Sequence, residues 1–305
     1  MSIYNTNMDN YWKKRDSGIT IRIIICLGIL SLLYIVFITV LAYLGLGFFP
    51  IMIISAIFIL SQWFFSDRLV MWSTGAKLVT KEQFGKLHSI VEKVAFANNL
   101  PKPKIAIVNS QIPNAFATGK SHRNSVVAVT SGLLDILDDD ELEGVLAHEI
   151  THIKNRDVLV ITLASLFSTL AWQIMQFSFF GGLYGAGRDR NNGGAIIIVV
   201  VVAFITWIAS FLIIRAISRY REYSADRGAA QTTQKPASLA NALLKITGRM
   251  DMVPQKVIKR VEGYNAFFII PAISRGSLTS LFSTHPPVES RIQKLMDMEK
   301  SMHGI

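Results

Sequence analysis

The residues His148-Glu149-Ile150-Thr151-His152 form the pattern H-E-x-x-H. Residues four apart lie on one face of a helix, so both imidazoles can bind a single zinc ion. A glutamate beside the first histidine can act on a zinc-bound water. The chain has only six histidines, so the H-E-x-x-H pattern is not expected to arise by chance. The motif therefore predicts half of a catalytic metal site, and a third ligand must come from elsewhere in the chain.

Glu222 is the best candidate for that third ligand. It precedes Asp226 by four residues in a segment that also carries Arg219 and Arg221. One carboxylate can bind zinc, while the other accepts a hydrogen bond from the free N–H of a ligand histidine. A solvated acidic face beside arginines explains the same spacing equally well. Two histidines, one glutamate and an open fourth position are, however, a known catalytic zinc pattern.

A capped amphipathic helix is predicted around the first motif. Asp138, Asp139 and Asp140 offer an N-cap, and Glu141 and Glu143 place negative charge in the first turn, where the helix dipole favours it. The apolar face is formed by Leu142, Val145, Leu146, Ile150 and Ile153. The sequence leaves open whether this helix continues into the apolar run that begins at Val158.

Three long uncharged runs indicate a membrane protein. They are Ile23 to Ser66, Val158 to Gly187 and Asn191 to Ile214. A membrane-spanning helix needs about 20 apolar residues. The first run is long enough for two spans with a turn near Gly45-Leu46-Gly47, so four spans are predicted, at about 20–44, 48–66, 158–180 and 194–215.

The net charge of +10 does not form a basic patch with interleaved aromatic residues, so nucleic-acid binding is not predicted. Basic residues instead flank the spans, and the positive-inside rule places both termini and the catalytic segments in the cytoplasm. We expect a multi-pass protein of the plasma membrane of a bacterium or archaeon. The single cysteine, Cys26, lies in the first span and excludes a disulfide framework within one chain.

The remaining patterns predict an α+β architecture with a small, mainly antiparallel sheet. A helical stripe runs from Thr80 to Asn98, and helices are also predicted from Ser218 to Ala230, from Pro236 to Lys245 and after Pro286-Pro287. Strands are predicted at Lys104 to Val108, Ala115 to Thr118 and Ser125 to Thr130, with residues 119–124 as a hairpin loop.

The predicted organisation therefore alternates between membrane and catalytic segments. Its parts are a polar tail at 1–18, a membrane hairpin at 19–66, the first catalytic segment at 67–157 with the H-E-x-x-H helix, spans three and four within 158–217, and the second catalytic segment at 218–305 with the candidate third ligand.

Four sequence motifs together resemble the HtpX family of membrane zinc endopeptidases, relatives of the CAAX prenyl proteases. They are His148 to Asp157 (HEITHIKNRD), the E-x-x-A-D of Glu222 to Asp226, Asn114 to Gly119 (NAFATG), and Ser283 to Pro287 (STHPP). The resemblance covers roughly residues 20 to 300. It implies a mainly helical gluzincin-type catalytic domain and a role in the quality control of membrane proteins under stress.

The resemblance also implies roles for individual residues. His148, His152 and Glu222 are expected to bind one Zn²⁺ per chain, with Glu149 as general base and Asp226 hydrogen-bonded to a ligand histidine. Two further roles follow the same motifs. Asn114 and Ala115 are expected in an edge strand that pairs with the substrate backbone, for which an ordinary hairpin is the alternative. His285 is expected to stabilise the oxyanion or to occupy the fourth zinc position, and helix capping is its alternative.

Two other functions remain open at this point. A prenyl-protein protease would be expected to have more than four spans. A transporter or receptor with a structural zinc site usually needs ionisable residues inside its spans, whereas the polar amide side chains of these spans are Gln62, Gln173 and Gln176. No Walker A pattern is present, so no nucleotide is expected as a partner. The expected partners are polypeptide substrates, above all misfolded membrane proteins, and the lipid bilayer.

Overall fold

The structure is a computed structural model that describes residues 70–162, 193–252 and 285–304, with isolated positions elsewhere, among them Ile269. The chain divides into two compact units. One comprises Met1–Ile19, Phe65–Val158 and Ser218–Ile305, and the other comprises Thr20–Phe64 and Leu159–Ile217. In chain order the described elements are β1 (Lys77–Leu78), α1 (Gly85–Ala97), β2 (Lys104–Val108), β3 (Ala115–Ser121), β4 (Asn124–Thr130), α2 (Ser131–Leu134), α3 (Asp139–Lys154), α4 (Gly193–Thr233), α5 (Pro236–Asp251) and α6 (Val288–His303).

The four-stranded sheet is mixed: two of its three strand pairs are antiparallel, as predicted, and the third is parallel, which was not predicted. Its strand order is β1-β2-β4-β3. β2 pairs in parallel with β4, from Lys104 opposite Val126 to Val108 opposite Thr130. The outer pairs, β1 with β2 and β3 with β4, are antiparallel. The chain leaves β2, passes to the edge as β3 and returns as β4 between them, an order that residue patterns within single strands do not reveal.

The β3–β4 hairpin is tighter than predicted. Both strands extend into the expected loop, so that Ser121 pairs with Asn124 across the turn residues His122 and Arg123. Gly119 makes this possible, because its φ of +132° favours glycine and a Cβ there would lie 2.1 Å from the Asn124 carbonyl oxygen. The register also shifts between Gly119 and Ser121, which marks a β-bulge.

Helix α3 begins as its sequence predicts. The Asp138 side chain accepts a hydrogen bond from the Glu141 N–H at 2.9 Å, and Glu141 accepts one from the Asp138 N–H at 3.0 Å. This capping box satisfies two N–H groups that the helix itself leaves unpaired. Farther along the helix, Val145, Leu146 and Ile150 are fully buried in a core shared with α1, α5 and the sheet. The helix is thus fixed at its start by hydrogen bonds and along its length by apolar burial.

Helix α3 does not continue directly into the next helical segment. It ends at Lys154, Asn155 and Arg156 form a turn, and residues 157–162 are helical again. Arg156 has a φ of +56°, a left-handed conformation that interrupts a right-handed helix. Because of this turn, the position of Asp157 does not follow the helical spacing of α3.

Among the described residues one helical segment, Ile197–Thr233 within α4, is long and apolar enough to cross a membrane. Isolated described positions of the first two predicted spans are helical with exposed apolar side chains: Ile25, Ile29, Leu32, Val36, Ile53, Ile57, Leu60 and Phe64. The predicted spans at 20–44, 48–66 and 158–180 otherwise lie largely outside the described residues.

Candidate metal centre

Three donor groups from two helices converge inside the first unit, the one that contains Phe65–Val158 and Ser218–Ile305. His148 and His152 lie one turn apart on α3, and Glu222 lies on α4. The Nε2 atoms of the two histidines are 3.0 Å apart. Glu222 Oε2 lies 3.6 Å from His148 Nε2, and Glu222 Oε1 lies 3.5 Å from His152 Nε2. His148 and Glu222 are buried, and His152 is nearly so. The predicted ligand triad is therefore assembled within one small space.

Two buried carboxylates orient the histidines. Asp226 lies 2.9 Å from His148 Nδ1, and Asp157 lies 2.5 Å from His152 Nδ1. A carboxylate accepts a hydrogen bond, so each Nδ1 donates its proton outward. In the neutral imidazoles each Nε2 then carries a lone pair, and the two lone pairs face each other. A cation between them removes this repulsion.

Two arginines hold the two carboxylates, the buried Arg291 and the partly buried Arg221. Arg291 of α6 donates two hydrogen bonds to Asp226, at 2.8 and 2.6 Å, and a third to the Ile269 carbonyl at 2.9 Å. Arg221 of α4 ion-pairs with Asp157 at 3.0 Å. Burial disfavours the charged form of Arg291, but Asp226 outweighs this effect and raises the pKa of Arg291. Both carboxylate–histidine pairs are thus anchored by a guanidinium.

The electrostatics of the metal-free site favour a cation. Burial opposes protonation of His148, but Asp226 and Glu222 outweigh it and raise the pKa of His148 to about 9. Burial also opposes ionisation of Asp157, yet Arg221 and His152 lower the pKa of Asp157 below its ordinary value. The raised pKa of His148 reports negative charge around that imidazole, whereas the lowered pKa of Asp157 reports its positive neighbour Arg221 and its contact with His152.

Glu149 is buried beside the two histidines and faces strand β3. Its carboxylate accepts a hydrogen bond from the backbone N–H of Ala117. Burial raises the pKa of Glu149 above its ordinary value, although His148 and His152 oppose the shift. A raised pKa makes the ionised carboxylate a stronger proton acceptor than an exposed glutamate.

His285 also reaches the site, from the segment that precedes α6. The side chain is buried, and its Nδ1 lies 3.0 Å from Glu222 Oε2. The structure therefore brings the four residues His148, His152, Glu222 and His285 into contact.

Asn114 and Ala115 stand where β3 begins, and β3 is an edge strand of the sheet as predicted. The Asn114 side chain is used within the protein, because its Oδ1 accepts a hydrogen bond from the Ile269 N–H at 3.0 Å. The Asn114 backbone faces Thr130, whose N–H donates to the Asn114 carbonyl at 2.9 Å. Backbone groups alternate in direction along a strand, so those of Ala115 face away from β4.

Three residues of the site were not anticipated from the sequence: Asp157, Arg221 and Arg291. Asp157 lies five residues after His152, outside the helical spacing of α3, and its position depends on the turn at Arg156. Arg221 neighbours Glu222, and in the sequence it has the pattern of a basic residue that flanks a membrane span. Arg291 lies in an amphipathic helix whose exposed positions are also charged, and only its complete burial sets it apart.

The residues present fit a divalent cation. Zinc–nitrogen bonds of about 2.0–2.1 Å place tetrahedral ligands roughly 3.3 Å apart, and the donor separations of 3.0, 3.5 and 3.6 Å bracket that value. Glu222 Oε2 is buried, and none of the described residues donates a well-aligned hydrogen bond to it. The four carboxylates of Glu149, Asp157, Glu222 and Asp226, when ionised, exceed the two guanidiniums by two negative charges. A divalent cation would balance them.

Comparison with known proteins gives this site a family. The model of Peptidase family M48 matches residues 81–299. The chain is 48% identical over 295 residues to Protease HtpX homolog 2 of Methanosarcina mazei, which covers 97% of this chain and 100% of the relative. It is 46% identical over 288 residues to Protease HtpX homolog of Moorella thermoacetica, which covers 94% of this chain and 96% of the relative.

A solved structure shares the fold. The crystal structure of S. mikatae Ste24p aligns with a TM-score of 0.50 and 18% sequence identity, over 92% of this chain and 66% of that chain. Fold, donor set and relatives together define a membrane metalloendopeptidase, an enzyme that acts on polypeptides. The chain belongs to peptidase family M48 and, within it, to the HtpX proteases.

We predict that Arg291→Met destabilises the first unit strongly. The change leaves Asp226 buried without its bidentate partner, and breaking a buried ion pair costs about 3–5 kcal/mol. Thermal unfolding in detergent measures the effect. Lys300→Met on the same helix α6 is the matched control, because Lys300 is exposed. Equal unfolding temperatures for the two variants would contradict the role of Arg291 as a buried clamp.

Proposed function

We propose that the chain hydrolyses peptide bonds with one Zn²⁺ held by His148, His152 and Glu222. The observation that carries this proposal is the convergence of the three donors, with both Nδ1 atoms hydrogen-bonded to buried carboxylates. When bound, zinc supplies a Lewis acid that polarises the scissile carbonyl and acidifies water. The carboxylates of Asp226 and Asp157 hold the imidazoles in the tautomer that can bind the ion.

Glu149 is the proposed general base. It lies next to His148 on the buried face of α3, and the Ala117 N–H fixes its carboxylate. In this role Glu149 takes the proton of the attacking water and later delivers it to the leaving amine. Its elevated pKa supports both transfers, since the proton must be held between the two steps.

His285 is the proposed donor to the developing oxyanion. Its contact with Glu222 Oε2 orients the ring inside the same buried space. A donor fixed before the reaction stabilises the charge that appears in the transition state. Occupation of the fourth metal position by His285, as a lock, is the alternative that the experiment below separates.

The edge of β3 is the proposed place for the substrate backbone. The Ala115 backbone faces away from β4, and Ala117 on the same edge contacts the proposed base. An extended peptide added along this edge passes directly by Glu149. The Asn114 side chain supports this edge by binding Ile269, so we assign substrate pairing to the backbone of Ala115.

We further infer that the enzyme cuts misfolded membrane proteins at the cytoplasmic face. Glu222 lies eight residues after Ile214, the last residue of the apolar run, in the uninterrupted helix α4. Basic residues follow that run, as the positive-inside rule requires for a cytoplasmic exit. Four spans, with both termini and the protease segments in the cytoplasm, are the topology that fits these charges.

We predict that Glu149→Gln retains zinc but loses cleavage. The amide cannot take a proton, whereas the three metal donors are unchanged. Zinc content and cleavage of a denatured membrane protein in proteoliposomes, with casein as the soluble substrate, measure the two effects. Glu143→Gln on the same helix is the control, because Glu143 pairs with Lys93 away from the site.

Cleavage by Glu149→Gln at a rate near that of the wild type would contradict the mechanism. Cleavage of casein with no cleavage of the membrane substrate by the wild-type enzyme would contradict the proposed substrate class alone.

We predict that His285→Ala lowers the turnover number by about 100-fold or more, a loss typical of a missing oxyanion donor. Zinc affinity changes less than turnover, because His285 is not one of the three metal donors. Single-turnover cleavage and competition with a chelator separate the effects, with His303→Ala as the exposed control. A larger loss of zinc affinity than of turnover would instead assign His285 to the fourth metal position.

A further inference from the structure

The two helices that carry the proposed metal donors touch where Thr151 of α3 meets Gly228 of α4. A Cβ atom at position 228 would lie 2.4 Å from Thr151 Cγ2, 2.7 Å from Thr151 Oγ1 and 3.2 Å from Thr151 Cβ. Optimal carbon–carbon contacts are about 3.5–4.0 Å. No residue other than glycine fits between the α4 backbone and Thr151 at the observed spacing of the helices.

This contact adjoins the metal donors on both helices. Thr151 lies between His148 and His152, and Gly228 follows Asp226 by two residues on the helix of Glu222. The neighbouring α4 residues Ala225, Ala229 and Ala230 are fully buried and small. A run of small residues allows two helix backbones to approach closely, and Gly228 allows the nearest approach.

The contact is steric rather than polar. Thr151 Oγ1 donates its one proton to the Ala147 carbonyl of its own helix at 2.7 Å, so it donates no hydrogen bond to α4. Rotation about χ1 exchanges the branches at Cβ but does not move Thr151 Cβ, which would lie 3.2 Å from the added methyl group. The spacing of the helices at this point is therefore set by the sizes of the residues at positions 151 and 228.

We propose that Gly228 is a positioning residue, which with Thr151 sets the distance from Glu222 and Asp226 to the two histidines. The proposal rests on the assignment of His148, His152 and Glu222 as metal donors. To restore normal contact with a methyl group at position 228, the two helices would have to move apart by roughly 1 Å. Metal–ligand distances tolerate only about 0.2 Å. The donor set therefore tolerates less displacement than the methyl group demands.

The test is the zinc affinity of Gly228→Ala in the full chain, measured in detergent against a chelator. We expect a loss of at least about tenfold, the range found when groups that orient metal ligands are changed. Co²⁺ substitution supplies a second readout, because a displaced Glu222 lowers the intensity of the tetrahedral visible bands. Neither readout depends on peptide hydrolysis.

Two further variants make the test specific. Gly248→Ala introduces the same methyl group into the last turn of α5, where nothing lies within 4 Å, and should leave zinc affinity unchanged. Thr151→Ala combined with Gly228→Ala removes Cγ2 and Oγ1 and leaves the 3.2 Å contact to Cβ. This double variant should recover most of the lost affinity and the Co²⁺ spectrum.

Wild-type affinity in Gly228→Ala would overturn the proposal, and so would a loss that the double variant does not recover. If Gly228→Ala does not fold, the same comparison is made with Thr151→Ser combined with Gly228→Ala, in which the Oγ contact at 2.7 Å remains. Glu222→Gln separates this proposal from the one it rests on. If Glu222→Gln binds zinc as the wild type does, the assignment of the donors has failed; if Glu222→Gln is weak and Gly228→Ala is not, only the positioning role has failed.

Discussion

Two imidazole nitrogens that face each other at 3.0 Å impose the constraint on which the rest of the site depends. Asp226 and Asp157 accept hydrogen bonds from the outer nitrogens, so the inner lone pairs of the neutral His148 and His152 repel each other unless a metal ion or a proton lies between them. Glu222 completes the donor set from a different helix. The folded protein thus holds an arrangement that a divalent metal ion stabilises, and metal binding and the packing of this unit are linked.

Keeping so many charges inside an apolar core requires partners for each of them. Arg291 binds Asp226 in a bidentate geometry and also bonds the Ile269 carbonyl, so one buried side chain connects α6, α4 and the segment at Ile269. Buried ion pairs of this kind seldom add net stability, because desolvation offsets the attraction between the charges. Their effect here is geometric, since they fix the carboxylates that in turn fix the histidines.

The sequence predicts the local parts of this account better than their arrangement. Helix α3, its N-cap and the H-E-x-x-H pair follow from short-range patterns that need no knowledge of the fold, whereas the choice of Glu222 as third donor rests on the family resemblance. The family comparisons confirm the class of enzyme. The parallel pairing of β2 with β4 could not be predicted, because periodicity within a strand does not give strand order. Arg291 and Asp157 were missed because their roles arise from burial and from the left-handed turn at Arg156, both of which depend on tertiary packing.

X-ray absorption at the zinc edge of the purified full chain tests the central claim most directly. The account predicts one zinc per chain, bound only by nitrogen and oxygen donors, with the outer-shell signal of two imidazoles. His148→Ala should lose one imidazole contribution together with most of the bound zinc. Substoichiometric zinc in the wild type, or an unchanged spectrum in His148→Ala, would contradict the account.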